Sequence, residues 1–313
     1  MYQGFPLRLL DALPCPVDGG QLRAETDEPR LRHATLECGD CRTRLLVRDG
    51  IVDVISEQHP PDETVRREIV ARDREAEAPN LRSSQRSSPR DDLEIPSTLA
   101  GIAFSSRDVV DLGCGTGRIT SRVLTAARSV LATDFSRRSL EAFASAIQRD
   151  ADVGLVLGDV TSLRLAANSF DIALSTQVVE HIPTPGARSE FFRSVRDALR
   201  PGGVFVCTVY HHDLRSRLGR IGREGIHESG IFYHRFTRRE IKAEVAPHFE
   251  VVSVHPIKVA IPYLVRLPLP WGPVSRTLER VPVVNSLGHL LRVVARKPAT
   301  ESFSVEGNRR GAA

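Results

Sequence analysis

The chain has 313 residues, of which 41% are hydrophobic and 26% are charged, and this composition is typical of a folded globular protein. Its net charge of +4 arises from 43 basic and 39 acidic residues, but only three of the basic residues are lysines. Because acidic residues are interspersed among the arginines, the charge gives little support to a nucleic-acid-binding surface. The sequence shows no signal peptide and no apolar run of membrane-spanning length, so we expect a cytoplasmic protein without a membrane span.

Residues 1–60 are expected to form a small β-rich module of the zinc-ribbon kind. The chain has five cysteines, an odd and small number that argues for reduced thiols or metal rather than a disulfide framework. Three of them lie in this module, in the spacing Cys-x2-Asp, a gap of 19 residues and Cys-x2-Cys. The predicted structural zinc ligands are Cys15, Asp18, Cys38 and Cys41. His33 is an alternative fourth ligand, and a ribbon that has lost its metal and is held by its strands is the other interpretation.

Residues 61–97 are predicted to connect this module to the rest of the chain. The stretch 62–78 has the charge pattern of a helix with a narrow apolar stripe. The following "PNLRSSQRSSPRDD" is polar, rich in Arg and Ser and bounded by prolines, which indicates a linker or a mobile lid.

From about residue 98 the sequence alternates between apolar strands and amphipathic helices. Strands are predicted at residues 108–112, 129–133, 153–157, 170–175, 203–209 and 249–256, and a last strand in "HLLRVVARKP". Strands that are separated by helices indicate βαβ units and a mainly parallel sheet. Residues 301–313 are expected to be disordered.

The stretch "VVDLGCGTGRIT", residues 109–120, places three glycines in five positions between a predicted strand and a predicted helix. Such a turn presents backbone N–H groups to a nucleotide-like ligand. A dinucleotide fingerprint needs a glycine where this chain has Arg118, and Asp111 beside the turn would repel a pyrophosphate. S-adenosylmethionine has a cationic end and no phosphate, so the carboxylate of Asp111 favours this cofactor over a dinucleotide. Asp134 ends the next strand, where a carboxylate can accept hydrogen bonds from a ribose diol.

Four successive segments carry a family resemblance: "VVDLGCGTG", "ATDFS", "GDVTSLRLAANSFDIALSTQVVEHI" and "LRPGGVFVCTVY". They resemble motifs of the class I S-adenosylmethionine-dependent methyltransferases over roughly residues 98–298. The resemblance implies an α/β fold with a Rossmann-like sheet of seven strands and helices on both faces. It also implies that the last strand, at 289–297, is antiparallel. The expected organisation is therefore the module at 1–60, the connection at 61–97 and a methyltransferase domain at 98–300.

The resemblance also implies a binding site for S-adenosylmethionine. The methionine end lies at the glycine turn, formed by Asp111, Gly113, Cys114, Gly115 and Gly117. The adenosine lies against Asp134, Phe135, Asp159 and Val160, with Asp134 binding the ribose and Asp159 and the Val160 backbone reading the amino edge of the adenine. Gln177 lies where the fourth strand opens toward the sulfonium. For Asp111 and Asp159, a purely structural role in a turn is the alternative interpretation.

Methyl transfer to a hydroxyl needs alignment and a base. His181 follows the fourth predicted strand and has an ordinary pKa suited to proton removal, although orienting a loop is its alternative role. His211, Tyr233 and His234 are further candidates, in a long connection that has the composition of an active-site cover. A solvated basic loop is the alternative interpretation of that connection.

The predicted acceptor is a small, apolar metabolite methylated on oxygen, nitrogen or carbon, because residues 259–288 form an apolar insertion. A homodimer contact is the alternative role of this insertion. The layout of the N-terminal module is similar to that of bacterial ribosomal-RNA guanine methyltransferases and of many small-molecule methyltransferases with a ribbon of the tRNA-methyltransferase-activator type, although Asp18 departs from the cysteine pattern. Methylation of an rRNA or tRNA base, with the module binding RNA, is therefore one alternative function. A non-catalytic partner module is the other.

Overall fold

The computed structural model describes residues 2–55, 63–77, 89–148, 151–259 and 270–299. The predicted disordered tail at 301–313 and most of the predicted linker lie outside the described residues. Within the described ranges, no helix is both long and apolar enough to cross a bilayer.

The N-terminal module consists of short strands around a 3-10 helix at Leu7–Ala12. Its strands are β1 (Phe5–Pro6), β2 (Leu22–Ala24), β3 (Arg30–Leu31), β4 (Ala34–Cys38), β5 (Arg44–Arg48) and β6 (Ile51–Asp53). Along β5, buried Leu45 and Val47 alternate with exposed neighbours, as expected for a strand with one face on the core. The small β-rich module predicted for this region is therefore present.

Two helices follow, α1 (Glu63–Glu77) and α2 (Pro89–Leu99). The first confirms the charged helix expected at 62–78. The second is a correction, because its residues were expected to belong to the linker. Pro89 is tolerated at the first helical position, where its missing N–H costs nothing. Pro96 lies inside α2, where a proline ordinarily disrupts a helix. Burial of the neighbouring Ile95 helps to stabilise the helix in spite of this proline.

The remaining strands confirm the alternation predicted from residue 98 onward. They are β7 (Asp108–Leu112), β8 (Ser129–Asp134), β9 (Val153–Leu157), β10 (Phe170–Thr176), β11 (Leu199–Tyr210), a hairpin of β12 (Glu224–Ile226) and β13 (Phe232–His234), β14 (Glu250–Val259) and β15 (Gly288–Arg296). The helices are α3 (Thr120–Val123), α4 (Arg137–Ala146), α5 (Pro185–Ala198), α6 (Leu214–Leu218), α7 (Arg238–Val245) and α8 (Trp271–Leu278). Thr237 caps α7 through a capping box with Glu240.

Eleven of the fifteen strands in the described ranges form one continuous sheet in the order β14-β15-β11-β10-β7-β8-β9-β6-β5-β4-β2, and β1 with β3 and β12 with β13 form separate two-stranded sheets. From β9 to β11 the neighbours are parallel, and β15 is antiparallel to both β11 and β14, as the resemblance implied. On the other side, β6 pairs in parallel with β9, with Ile51 opposite Leu155. Through β2, β4, β5 and β6 the module therefore extends the sheet formed by the later strands instead of forming a separate domain. This pairing covers an edge strand that would otherwise expose unpaired backbone groups.

The core lies on both faces of this sheet, under helices. One face holds an aromatic cluster at its centre, where Phe192 and Phe205 pack edge to face with a centroid distance of 6.1 Å. On the other face, Phe143 of α4 is fully buried against the turn that follows β7. Because the core fixes the strand ends, it also fixes the loops that leave their carboxyl edge.

Candidate active site

The glycine turn between β7 and α3 is the first part of the site. Gly115 has φ +54°, and a Cβ added there would meet nothing within 4 Å, so this position leaves open space beside the backbone. Gly117 has φ +76°, and a Cβ there would lie 2.0 Å from Cδ2 of Phe143. Gly115 is therefore the position at which a ligand can approach the backbone, whereas Gly117 allows the turn to pack on α4.

A cavity of about 270 Å³, here called the first cavity, opens beside this turn. Seven of the predicted cofactor residues line it: Gly113, Cys114, Gly115, Asp134, Phe135, Val160 and Gln177. Three predicted residues, Asp111, Gly117 and Asp159, do not line it. The sequence did not identify the contribution of α1, which lines the cavity through Glu68, Arg72 and Ala76. A charged helix remote in sequence carries no local signal for such a contact.

Asp111 lies behind the turn, with 1% of its surface exposed. Its Oδ2 accepts a hydrogen bond of 2.6 Å from the Thr120 hydroxyl. Burial, reinforced by the nearby charge of Asp134, raises the pKa of Asp111 to about 7. This geometry fits the alternative structural role, in which the carboxyl joins β7 to α3.

Asp134 faces the first cavity from the end of β8. Its two oxygens accept hydrogen bonds from the backbone N–H groups of Gly115, at 2.8 Å, and Ser136, at 2.9 Å. Burial raises the pKa of Asp134 above its ordinary value, and these two N–H groups oppose that effect. The carboxylate is thus held in one orientation, with further acceptor sites available to a ligand.

Asp159 lies beyond the other side of the cavity. Its carboxylate accepts hydrogen bonds from the Thr161 backbone N–H and hydroxyl, both at 2.9 Å. These bonds fit the alternative role of a turn cap. The neighbouring Val160 lines the cavity.

His181 lines the first cavity, and both of its ring nitrogens have partners. Nδ1 lies 2.7 Å from the carbonyl oxygen of Phe232, to which it donates, so Nε2 carries the lone pair and accepts from Arg72 at 3.1 Å. Burial and the Arg72 charge lower the pKa of His181 to about 4. The imidazole is therefore neutral near pH 7, but its basic nitrogen is occupied by the arginine.

The other three predicted base candidates do not line the first cavity. Nδ1 of His211 donates to the carbonyl of Gly288 at 2.7 Å. His234 is buried, with each ring nitrogen 2.9 Å from a carboxylate, so its contacts join the β12–β13 hairpin to α7. The ring of Tyr233 packs on His227, with centroids 4.5 Å apart.

Glu94 of α2 is a central residue that the sequence analysis missed. Only 1% of its surface is exposed, and it accepts hydrogen bonds from Gln177 Nε2 at 2.6 Å, Arg118 at 2.9 Å and Lys258 Nζ at 2.9 Å. Burial alone would raise the pKa of Glu94, but the two cations outweigh burial and lower it. Its apolar neighbours Leu93 and Ile95 were the available signal for burial. The prolines on either side obscured that signal.

A second cavity, of about 770 Å³, adjoins the first, and Gln177 and Tyr210 line both. Its basic lining residues are His211, Arg215, His227, Arg235, Lys258 and His289. The site therefore has two compartments that meet at the ends of β10 and β11.

The four predicted metal ligands converge at the far edge of the sheet. Their ligand atoms all lie within 4.8 Å of one another, with Cys15 and Cys41 sulfurs 3.6 Å apart. Asp18 Oδ1 lies 3.4 Å from the sulfur of Cys38. His33 instead lies 3.6 Å from the carboxylate of Asp49, so it is not part of this cluster.

The strand order, the antiparallel β15 and the glycine turn beside a cavity define a class I methyltransferase fold. Residues 110–207 match the protein family described as a methyltransferase domain. The chain therefore has the fold of the class I methyltransferases, with a match to the methyltransferase domain over residues 110–207, and S-adenosylmethionine is the cofactor of that class.

Particular relatives cover only part of the chain. A ubiquinone biosynthesis O-methyltransferase of Caulobacter vibrioides is 29% identical over 124 residues, which are 39% of this chain and 48% of that protein. The chain thus spans about half the length of the curated relatives it matches.

Solved structures show the same fold. An S-adenosylmethionine-dependent methyltransferase from Mesorhizobium loti has a TM-score of 0.51 at 24% identity, covering 64% of this chain and 96% of its own. The 1,6-didemethyltoxoflavin-N1-methyltransferase of Burkholderia thailandensis, with 1,6-didemethyltoxoflavin and S-adenosylhomocysteine bound, has a TM-score of 0.51 at 19% identity. It covers 86% of this chain and 100% of its own. At these identities the likeness concerns the fold alone.

Proposed function

We propose that the protein transfers the methyl group of S-adenosylmethionine to a small molecule. The observation that carries this proposal is the junction of two cavities at Gln177 and Tyr210, with the glycine turn and Asp134 in the first. A cofactor bound in the first cavity would present its reactive end to an acceptor in the second. A methyltransferase activity in which the protein chiefly aligns its reactants needs this arrangement.

The residues of the first cavity fit S-adenosylmethionine. When bound, the cofactor supplies an electrophilic methyl group on a sulfonium sulfur. Asp134 is oriented by two backbone N–H groups and would accept hydrogen bonds from the ribose hydroxyls. Phe135 would pack on the adenine, and the open backbone at Gly115 would admit the methionine end.

A general base, where the acceptor needs one, would be a histidine at this junction. His181 lines the first cavity, but Arg72 must first release its Nε2. His211 lines the second cavity, and its Nε2 is the nitrogen that does not face Gly288. Catalytic roles for Tyr233 and His234 gain no support from their positions.

The expected apolar acceptor depended on the insertion at 259–288. Residues 260–269 lie outside the described residues, and helix α8 packs against α2 and β14. No residue from 270–288 lines the second cavity. We therefore propose a small-molecule acceptor, but we no longer propose that this acceptor is apolar. The cytoplasmic location and the homodimer contact stay predictions, and no structural observation favours the RNA or non-catalytic alternatives.

The test uses the purified protein and methyl-labelled S-adenosylmethionine with an extract of the host cells. We expect label in the small-molecule fraction, and label confined to RNA or protein would contradict the proposal. In parallel, Asp134→Ala should weaken binding of S-adenosylmethionine by about 1–3 kcal/mol, measured by calorimetry. Asp197→Ala, at an exposed position of α5, is the control that should bind normally.

We also propose that Cys15, Asp18, Cys38 and Cys41 hold a structural zinc ion. Four ligand atoms arranged tetrahedrally at about 2.0–2.3 Å from zinc lie about 3.3–3.8 Å apart, close to the observed spacings of 3.4 and 3.6 Å. A closed set of four ligands leaves no position for a substrate, so the ion would stabilise the module.

Metal analysis of protein purified without a histidine tag tests the zinc site. We expect about one zinc per chain, lost in Cys38→Ser and retained in His33→Ala. Wild-type protein without zinc would contradict the proposal, and loss of zinc in His33→Ala would contradict the assigned ligand set.

A further inference from the structure

We infer that the methyl acceptor carries an anionic group, a carboxylate or a phosphate, which Arg235 binds in the second cavity. The inference rests on the proposed function and adds the chemical class of the substrate. It replaces the apolar acceptor that the sequence alone suggested.

The charges of the second cavity single out one arginine. Arg215 is paired with Asp213 at 3.0 Å, and Lys258 is paired with Glu94 at 2.9 Å. Arg235 has no carboxylate partner among the described residues. Arg215 has Asp213 as its carboxylate partner, and Lys258 shares the carboxylate of Glu94 with Arg118. A ligand that enters the cavity therefore meets the uncompensated charge of Arg235.

Two of the three histidines that line the cavity, His211 and His289, do not supply a competing charge. Burial lowers the pKa of His211 and of His289, so both are neutral at pH 7. Because these two imidazoles are uncharged, the positive charge that lacks a carboxylate partner is that of the Arg235 guanidinium.

Arg235 is also held in a position suited to an oxyanion. Its guanidinium lies over the ring of Tyr233, 4.4 Å from the centroid. Nη1 donates to the carbonyl of Gly222 at 3.0 Å and to the Tyr233 hydroxyl at 3.2 Å. Nε and Nη2 have no partner within the described ranges, and this edge of a guanidinium binds a carboxylate or phosphate with two parallel hydrogen bonds.

A series of rings connects Arg235 to the junction of the two cavities. Tyr233 packs on His227, and His227 lies edge to face against Tyr210, with centroids 5.9 Å apart. Tyr210 lines both cavities. The anionic end of the acceptor would thus bind away from the junction, while another atom of the same molecule reaches the methyl group.

This arrangement determines the charge of the product. The bond between the methyl carbon and the acceptor atom forms as the carbon–sulfur bond breaks, and the sulfur keeps the electron pair of the broken bond. The proton of the acceptor atom passes to a base or to water. Because the reacting atom is not part of the anionic group, the methylated product keeps its negative charge.

The experiment separates labelled products by charge. Purified protein, methyl-labelled S-adenosylmethionine and a small-molecule ultrafiltrate of host extract are incubated, and the products pass over an anion exchanger at neutral pH. We expect the label to be retained, and phosphatase treatment then distinguishes a phosphate, whose retention is lost, from a carboxylate, whose retention persists. Label that flows through would overturn the inference and leave the proposed function intact. No label in any product would overturn both.

Variants of two nearby arginines test the role of Arg235. With the retained fraction as the source of acceptor, Arg235→Gln should raise KM roughly 10–100-fold, as expected for loss of a charged hydrogen-bonded pair. Arg235→Lys should recover part of this loss, because it restores the charge without the paired donors. Arg239→Gln is the matched control, since Arg239 is exposed on α7 and lines neither cavity. An Arg235→Gln protein with unchanged KM would contradict the inference.

Discussion

Replacing Glu94 with alanine is the sharpest test of how the two cavities are held together. The substitution removes a buried carboxylate that accepts hydrogen bonds from Gln177, Arg118 and Lys258. These partners come from the end of β10, the glycine turn and β14. One side chain of α2 therefore orients residues in the lining of both cavities.

The expected loss follows from the burial of each partner. Removing one member of a buried ion pair costs about 3–5 kcal/mol, because the remaining charge is left without compensation. Here the side chains of Arg118 and Lys258 are 35% and 20% exposed, so water compensates part of their charge. We therefore expect Glu94→Ala to lower the free energy of unfolding by about 3 kcal/mol. Glu94→Gln keeps the shape and one acceptor, and about 1–2 kcal/mol is expected.

The assay is urea unfolding followed by circular dichroism, with calorimetric binding of S-adenosylmethionine as a second readout. Glu63→Ala is the control, because Glu63 pairs with Arg67 on the surface of α1, where both side chains are more than half exposed. Such a pair contributes about 0.5 kcal/mol or less. If Glu94→Ala cost no more than Glu63→Ala, the three hydrogen bonds to Glu94 would not stabilise the site, and the reasoning would be wrong.

Three further predictions concern buried groups. Glu180 is fully buried and burial raises its pKa from 4.5 to about 8, so the folded protein keeps a proton that the unfolded chain loses, and stability falls as pH rises through that window. Glu180→Gln should therefore gain about 4 kcal/mol over wild type between about pH 5 and pH 8.5 in urea unfolding, and parallel pH profiles would contradict this. His181 has the opposite effect on the pH dependence of stability, because folding lowers its pKa from 6.5 to about 4. As pH falls through this range, the unfolded chain binds a proton before the folded protein does, so stability is lost. His181→Gln should reduce this acid sensitivity by about 3 kcal/mol, and an unchanged profile would show that the imidazole is not buried as described. Gly117→Ala should destabilise by about 3 kcal/mol, from positive φ and overlap with Phe143, whereas Gly101→Ala, with φ +71° and nothing within 4 Å, should cost about 1 kcal/mol. Equal thermal shifts in these two variants would refute the packing role of Gly117.

Local patterns in the sequence determined the frame of the protein. The strands from β7 to β15 were predictable because apolar runs alternate with amphipathic helices. The cluster of Cys15, Asp18, Cys38 and Cys41 was predictable from the spacing of these residues. The glycine turn and Asp134 were predictable for a related reason. Both lie at the carboxyl end of a parallel strand, where the strand itself fixes the position of the next residue.

Tertiary structure decided which of these residues face a ligand. Asp111 and Gly117 lie within the predicted motif, but one is buried behind it and the other packs on Phe143. The pairing of β6 with β9 joins residues about a hundred positions apart and turns a predicted separate module into part of the sheet. In the sequence, Glu94 lies between prolines and Arg235 lies in an arginine-rich stretch. Only their neighbours in space make Glu94 a buried acceptor of several hydrogen bonds and Arg235 a charge without a carboxylate partner. Contacts between distant segments depend on packing of the whole chain, so no local spacing or periodicity records them.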